Sequence, residues 1–218
     1  AMSDEALLYL DWNATSPPHA DVLAAMRAAE ADAWANPASP HAPGRRARAR
    51  LEDAREAVAE VLGFDAHDVV LTGGGTEANN LALASAPEDG AIIVGRHEHP
   101  SVVRPAQRRS DRGLEVAWVE PDATGRITVA ALEAATRRAV RPVAMICVQA
   151  VNHETGVIQP VAEAAARAGR LGARLHCDAV QAVGKLGPEA WAGADLVTVA
   201  AHKIRGPKGI GALATAPG

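Results

Sequence analysis

Apolar positions divide this chain into two alternating kinds of segment. Residues 20–35 and 45–62 are rich in alanine, with valine, leucine and methionine returning at helical spacing. Short β-branched runs follow: Val69-Val70-Leu71, Ile92-Ile93-Val94, and residues 116–119, 143–148, 175–177 and 196–199. Between most of them lie further helical stretches at residues 76–84, 101–112, 129–138 and 161–171. This alternation predicts an α/β fold, a mainly parallel sheet with helices on both faces. The runs are apolar throughout rather than at every second position, as strands covered on two sides require. No internal repeat, low-complexity tract or long linker interrupts the pattern.

Sheets of this kind bind ligands beyond the carboxyl ends of their strands. The residues there are polar or glycine: Gly73-Gly74-Gly75-Thr76-Glu77, Arg96-His97-Glu98-His99, Asn152-His153-Glu154-Thr155-Gly156, Asp178-Ala179-Val180-Gln181 and His202-Lys203. One end of the sheet is therefore expected to carry the site.

Composition narrows the function classes. The chain has 218 residues, 48% of them hydrophobic, enough to build a core. A net charge of −4 gives no electrostatic reason to expect nucleic acid or an anionic membrane as partner. No apolar run reaches the roughly 18 residues of a membrane helix. Ala1 before Met2 reads as a scar of tag cleavage, and the start lacks the pattern of a signal peptide. The two cysteines, Cys147 and Cys177, lie in strand-like runs. They suit buried thiols in a reducing cytoplasm better than a disulfide framework.

Gly73-Gly74-Gly75-Thr76 follows a strand and opens a helix. Its backbone N–H groups could cradle an anion, or it could be a glycine-rich turn capped by threonine. It is neither a P-loop nor a dinucleotide fingerprint. Asp178 ends a strand, either as a fixed carboxylate or as a helix cap. His99 could stack on a flat ring and move protons, or lie on the surface. His97 and His99 have metal-ligand spacing without an evident third ligand, so no metal is expected. A phosphate loop, an aspartate and a lysine together suggest pyridoxal phosphate. That cofactor needs a phosphate cradle, an anion at its ring nitrogen and an amine for its aldehyde.

These pieces recur in order. Tyr9-Leu10-Asp11-Trp12-Asn13-Ala14-Thr15-Ser16-Pro17, Asn36-Pro37-Ala38-Ser39, Thr72 through Asn80, and Glu98-His99 come first. Asn152 through Gly156 with Gln159, Asp178-Ala179-Val180-Gln181 with Gly184-Lys185, and His202-Lys203-Ile204-Arg205-Gly206-Pro207-Lys208-Gly209-Ile210-Gly211 complete the series. The chain resembles the cysteine desulfurases of iron–sulfur cluster assembly, within the class V aminotransferase family of fold-type I pyridoxal-phosphate enzymes. The resemblance implies that Lys203 attaches the cofactor as a Schiff base and shuttles a substrate proton. It implies that Asp178 pairs with the ring nitrogen, Gln181 bonds the phenolic oxygen, and His99 stacks on the ring and acts in acid–base steps. Gly75, Thr76 and His202 would hold the phosphate, and His153 would stand near the ring oxygen. Lys208 reads as part of a turn and Lys185 as a solvated lysine.

Two positions depart from the family pattern. Ala200 stands where a serine phosphate ligand is usual, and His153 where a second asparagine is common. The resemblance further implies L-cysteine as substrate, alanine as product, sulfur leaving as a persulfide to an acceptor or scaffold protein, and a homodimer. It divides the chain into an N-terminal segment, residues 1–15, and a cofactor-binding large domain, residues 16–218. The small domain with its sulfur-accepting loop cysteine would lie largely beyond Gly218. A selenocysteine lyase, a transaminase, a kynureninase-like hydrolase, and a non-catalytic interaction fragment are the other readings open at this point.

Overall fold

The computed structural model describes residues 8–217, so the start read as a tag scar lies outside the described residues. Seven strands form one sheet in the order β1-β7-β6-β5-β4-β2-β3. They are β1 (Val69–Thr72), β2 (Ala91–Gly95), β3 (Val116–Val119), β4 (Val143–Cys147), β5 (Arg174–Asp178), β6 (Leu196–Ala200) and β7 (Gly211–Thr215). Strands β2 to β6 pair in parallel, and β7 runs antiparallel between β1 and β6. The mainly parallel sheet expected from the sequence is present, with one antiparallel strand that the apolar pattern does not announce. Gly211-Ala212-Leu213-Ala214-Thr215 lacks a β-branched run, so only its neighbours reveal it as a strand.

Alternate side chains of the strands enter two separate cores. Ile92, Val94, Met145 and Cys147 pack on one side with α3 (Gly75–Ala84) and α4 (Pro100–Asp111). Ile93, Ile146 and Val197 pack on the other with α2 (Ala42–Leu62), α5 (Val129–Arg138) and α6 (Val161–Leu171). This two-sided burial is why the strand sequences read as continuously apolar. Helix ends follow local chemistry. Thr128 caps α5 by accepting from the Ala131 N–H, and Gly63 and Gly172 close α2 and α6 in the left-handed region. The first helix, α1 (Ala20–Asp32), has no buried residue. Its alanine-rich pattern gives a helix that touches α2, where Asp32 pairs with Arg46 and Arg50, without burying any side chain.

Strand ends rather than helices position the site. Thr72, Gly95, Cys147, Asp178 and Ala200 all terminate their strands at the same edge of the sheet.

Candidate active site

At that edge lies a cleft of about 1120 Å³. Gly75, Thr76, His99, His153, Asp178, Gln181, His202 and Lys203 all line it. The sheet thus brings together the eight residues that the resemblance assigns to the cofactor, across more than a hundred positions of chain.

The floor is the glycine loop. The N–H groups of Gly74, Gly75, Thr76 and Glu77 have no acceptor among the described residues. They face outward from the start of α3, where the helix supplies partial positive charge. The Glu77 carboxylate takes the Gly73 N–H at 2.6 Å. Close approach shapes the loop. A Cβ on Gly75 would stand 3.0 Å from Val180 Cγ2, and one on Gly211 would stand 2.6 Å from the Gly74 carbonyl carbon. Ala200, the position where the resemblance expects serine, also lines the cleft and offers no hydroxyl.

Asp178 is buried at the tip of β5. Its Oδ1 accepts from the Val180 N–H at 3.0 Å and its Oδ2 from Asn79 Nδ2 at 2.7 Å. Lys203 sits in a single 3-10 turn after β6, so its side chain reaches the cleft from the strand end. Its Nζ donates to the carbonyls of Asn13 and of Ala14, the latter at 3.0 Å. Burial lowers the Lys203 pKa from its ordinary value, against the attraction of Asp178 and Asp11. His202 is lowered by burial and by the neighbouring Lys203 and Lys208.

His99 caps α4, accepting the Ser101 N–H on Nδ1. Its ring meets His153 edge-on, with centroids 4.9 Å apart. Asn152 is a turn organiser: its Oδ1 accepts from the N–H groups of Glu154 and Thr155, and its Nδ2 donates to the His97 carbonyl. That turn presents His153 to the cleft.

Two further lysines stand at or beside the cleft. Lys208, read as part of a turn, does sit in one, and that turn lines the cleft. Lys185, read as solvated, is exposed and also donates from Nζ to Gln181 Oε1 at 2.6 Å, while Gln181 Nε2 donates to the Asn13 carbonyl at 2.9 Å. Asn79, Ser101, Asn13 and Asp11 also line the cleft and were not singled out from the sequence. Asn79 and Asn13 lie within motifs already quoted. The structure adds the partners that give them a task. The three-residue metal-type cluster found among the described residues, Asp65, His67 and Asp68, does not line the cleft.

Beneath the cleft Glu98 is fully buried, with Oε1 accepting the Gln149 N–H at 2.7 Å. Burial pushes its pKa up to about 8. His176, also buried in β5, is pushed down to about 4 by burial. The two act oppositely on stability. A raised carboxylate makes the folded state bind more protons than the unfolded chain, so its contribution is lost as pH rises from the unfolded value toward 8. A lowered histidine contributes stability above its unfolded value and loses it as pH falls toward 4. The two slopes oppose each other up to about pH 6.5, and Glu98 alone of this pair remains above it. Stability is expected to fall by about 2 kcal/mol between pH 6.5 and pH 8, at 1.4 kcal/mol per unit. Urea unfolding at both values checks this. Glu98→Gln should flatten the fall, and an equal fall in that variant would refute the assignment.

The family model for class-V aminotransferases matches residues 8–217. The chain belongs to the class-V aminotransferase family. It is 37% identical over 213 residues to the cysteine desulfurase IscS of Anaeromyxobacter dehalogenans, across 94% of this chain and 52% of that protein. Among solved structures, a NifS-like protein superposes with a TM-score of 0.89 at 31% identity, over 97% of this chain and 59% of the other. SspA in complex with cysteine superposes with a TM-score of 0.87 at 31% identity, over 96% and 61%. The chain spans about half the length of the curated relatives it matches.

The class-V family match runs through the whole of the described chain, and the cleft draws its lining from positions between Asp11 and Gly209. Neither cysteine reaches it. Cys147 and Cys177 are fully buried free thiols, each pushed well above its ordinary pKa by burial, and neither lines the cleft. Buried thiols of this kind are poor nucleophiles. No helix of the described residues is long and apolar enough to cross a membrane.

Proposed function

We propose that this chain is the pyridoxal-phosphate-binding part of a cysteine desulfurase that takes L-cysteine to alanine and passes the sulfur on as a persulfide. The observation that carries the reading is the meeting of Lys203, Asp178 and the open N–H groups of the glycine loop in one cleft. This donor set fits the cofactor: four backbone N–H groups at a helix start suit a phosphate, and a buried carboxylate suits a protonated ring nitrogen. When bound, the cofactor supplies an electron sink for a carbanion at the substrate's α-carbon.

The chain's own residues divide the remaining work. Gly75, Thr76 and His202 hold the phosphate. Asp178 pairs with the ring nitrogen and keeps its orientation through Val180 and Asn79. Gln181, steadied by Lys185, would hydrogen-bond the phenolic oxygen. His99 would stack on the cofactor's ring, its own imidazole met edge-on by His153. Lys203 is the attachment amine and the carrier of the substrate's α-proton. Its lowered pKa favours the neutral amine that such chemistry needs. Support for the substrate comes from the neighbour solved with cysteine. In this reading neither Cys147 nor Cys177, both buried, is the accepting thiol. Exposed Leu8, Leu10 and Trp34, with the unburied α1, support self-association of the whole protein as a homodimer.

Titrating the purified chain with pyridoxal phosphate tests the proposal. An absorbance band near the visible edge that borohydride abolishes is expected. No such band at saturating cofactor would overturn the reading in favour of an interaction fragment. Perturbation of the band by L-cysteine extends the result to the substrate, and indifference to L-cysteine would confine it to cofactor binding.

A further inference from the structure

We propose that Asn79 and Ser101 are positioning residues that join Asp178 to His99 and hold the His99 proton on Nε2. The catalytic meaning of this relay rests on the function proposed above, but its geometry stands without it.

Each link has a direction. Asp178 accepts at both oxygens, so Asn79 must turn its amide nitrogen, not its oxygen, toward Oδ2 at 2.7 Å. The same Nδ2 lies 2.8 Å from Ser101 Oγ and donates its second N–H to that oxygen. The serine proton is then free for another acceptor, and His99 Nδ1 stands 2.6 Å away. The Ser101 N–H donates to the same Nδ1 at 3.1 Å. Two donors converge on one ring nitrogen, which requires Nδ1 to be unprotonated. Neutral His99 therefore carries its hydrogen on Nε2. Asn79 is 1% exposed and Ser101 7%, so solvent does not readily replace either link.

Other groups also bear on this imidazole. Asp178 faces it from β5, His153 from the turn after β4, and Lys203 from the turn after β6. The carboxylate favours a charged ring, whereas His153, Lys203 and burial oppose one. The relay adds to the opposition, because a proton on Nδ1 would displace both donors. His99 is thus prepared to donate a hydrogen bond from Nε2 rather than to take a proton there. The polarity starts at Asp178, so the group assigned to the cofactor's ring nitrogen also sets the histidine's tautomer.

Proton–nitrogen correlation spectra of the ¹⁵N-histidine-labelled chain, without added cofactor, test this directly. A His99→Gln sample assigns the signal. The expected spectrum shows His99 with a bare Nδ1 and a protonated Nε2. A proton on Nδ1 in the neutral wild-type ring would overturn the proposal, whatever the variants do. Ser101→Ala is expected to let His99 protonate about fivefold more readily, the worth of one hydrogen bond, and Ser101→Thr to restore the wild-type midpoint. An unchanged midpoint in Ser101→Ala would remove Ser101 from the relay. These readouts need no bound cofactor, so they fail or succeed independently of the cofactor titration.

Discussion

Lys203→Ala is expected to abolish covalent capture of pyridoxal phosphate, while non-covalent binding survives. The lysine is one of three near the cleft, with Lys185 and Lys208, and the structure distinguishes them. Lys203 Nζ is drawn toward Asp178 and Asp11 and rests on the carbonyls of Asn13 and Ala14. To react with an aldehyde the amine must shed a proton and leave those carbonyls. Its partial burial assists the first step. Lys185 is tied to Gln181 Oε1, so its loss should weaken cofactor orientation without ending capture. Lys208 stands at the cleft wall in the Gly-Pro-Lys-Gly turn, and its loss should leave capture intact. Mass spectrometry after borohydride treatment decides the matter: the added mass should map to Lys203 alone. Capture that persists in Lys203→Ala and moves to another lysine would refute the assignment.

Gly211→Val is expected to cost at least about 3 kcal/mol of stability, at the upper end for overpacking, and to weaken cofactor binding by about tenfold or more. A Cβ at Gly211 would lie 2.6 Å from the Gly74 carbonyl carbon, 2.7 Å from the Val199 oxygen and 2.8 Å from Gly74 Cα. All three are backbone atoms, so no side chain can swing away. Nor can Gly211 retreat, because it pairs with Thr72 on one side and Ala200 on the other. The glycine loop would have to lift, carrying its open N–H groups with it. Gly209→Ala is the comparison: its φ of +80° adds strain of about 1 kcal/mol, but nothing lies within 4 Å. Urea unfolding and cofactor titration of both variants check the prediction. Equal effects would mean that backbone strain, not the meeting of loop and strand, governs this region.

The two predictions draw on unequal shares of the sequence. Lys203 stands out in the chain because it follows an apolar strand and precedes a glycine-rich turn. Asp178 and the glycine loop stand out for the same reason, each at the end of a strand. Strand ends are legible because two-sided burial writes an unbroken apolar run that stops abruptly. β7 is not legible: its small residues fit between β1 and β6 by close packing, a constraint that leaves no periodic trace. Asn79 and Ser101 are hidden differently. Asn79 meets Asp178 across 99 positions and Ser101 across 22. A hydrogen-bonding side chain inside a helix looks the same in sequence whether it faces solvent or a buried carboxylate. Lys185 is exposed, as a long charged side chain usually is, and only the three-dimensional structure reveals its reach to Gln181. The class-V resemblance carried in the ordered motifs agrees with the family match across residues 8–217.

The segment before α1 shows how such a site can tolerate change. Lys203 and Gln181 grip it by the carbonyls of Asn13 and Ala14, which every amino acid possesses. Ser16 is held differently, since its hydroxyl donates to the His202 carbonyl and accepts the Arg205 N–H. Natural variation should therefore pass freely through the first two positions as far as these bonds are concerned and stall at the third. At the mouth of the cleft it is the path of the chain that these bonds hold, anchored by one serine side chain.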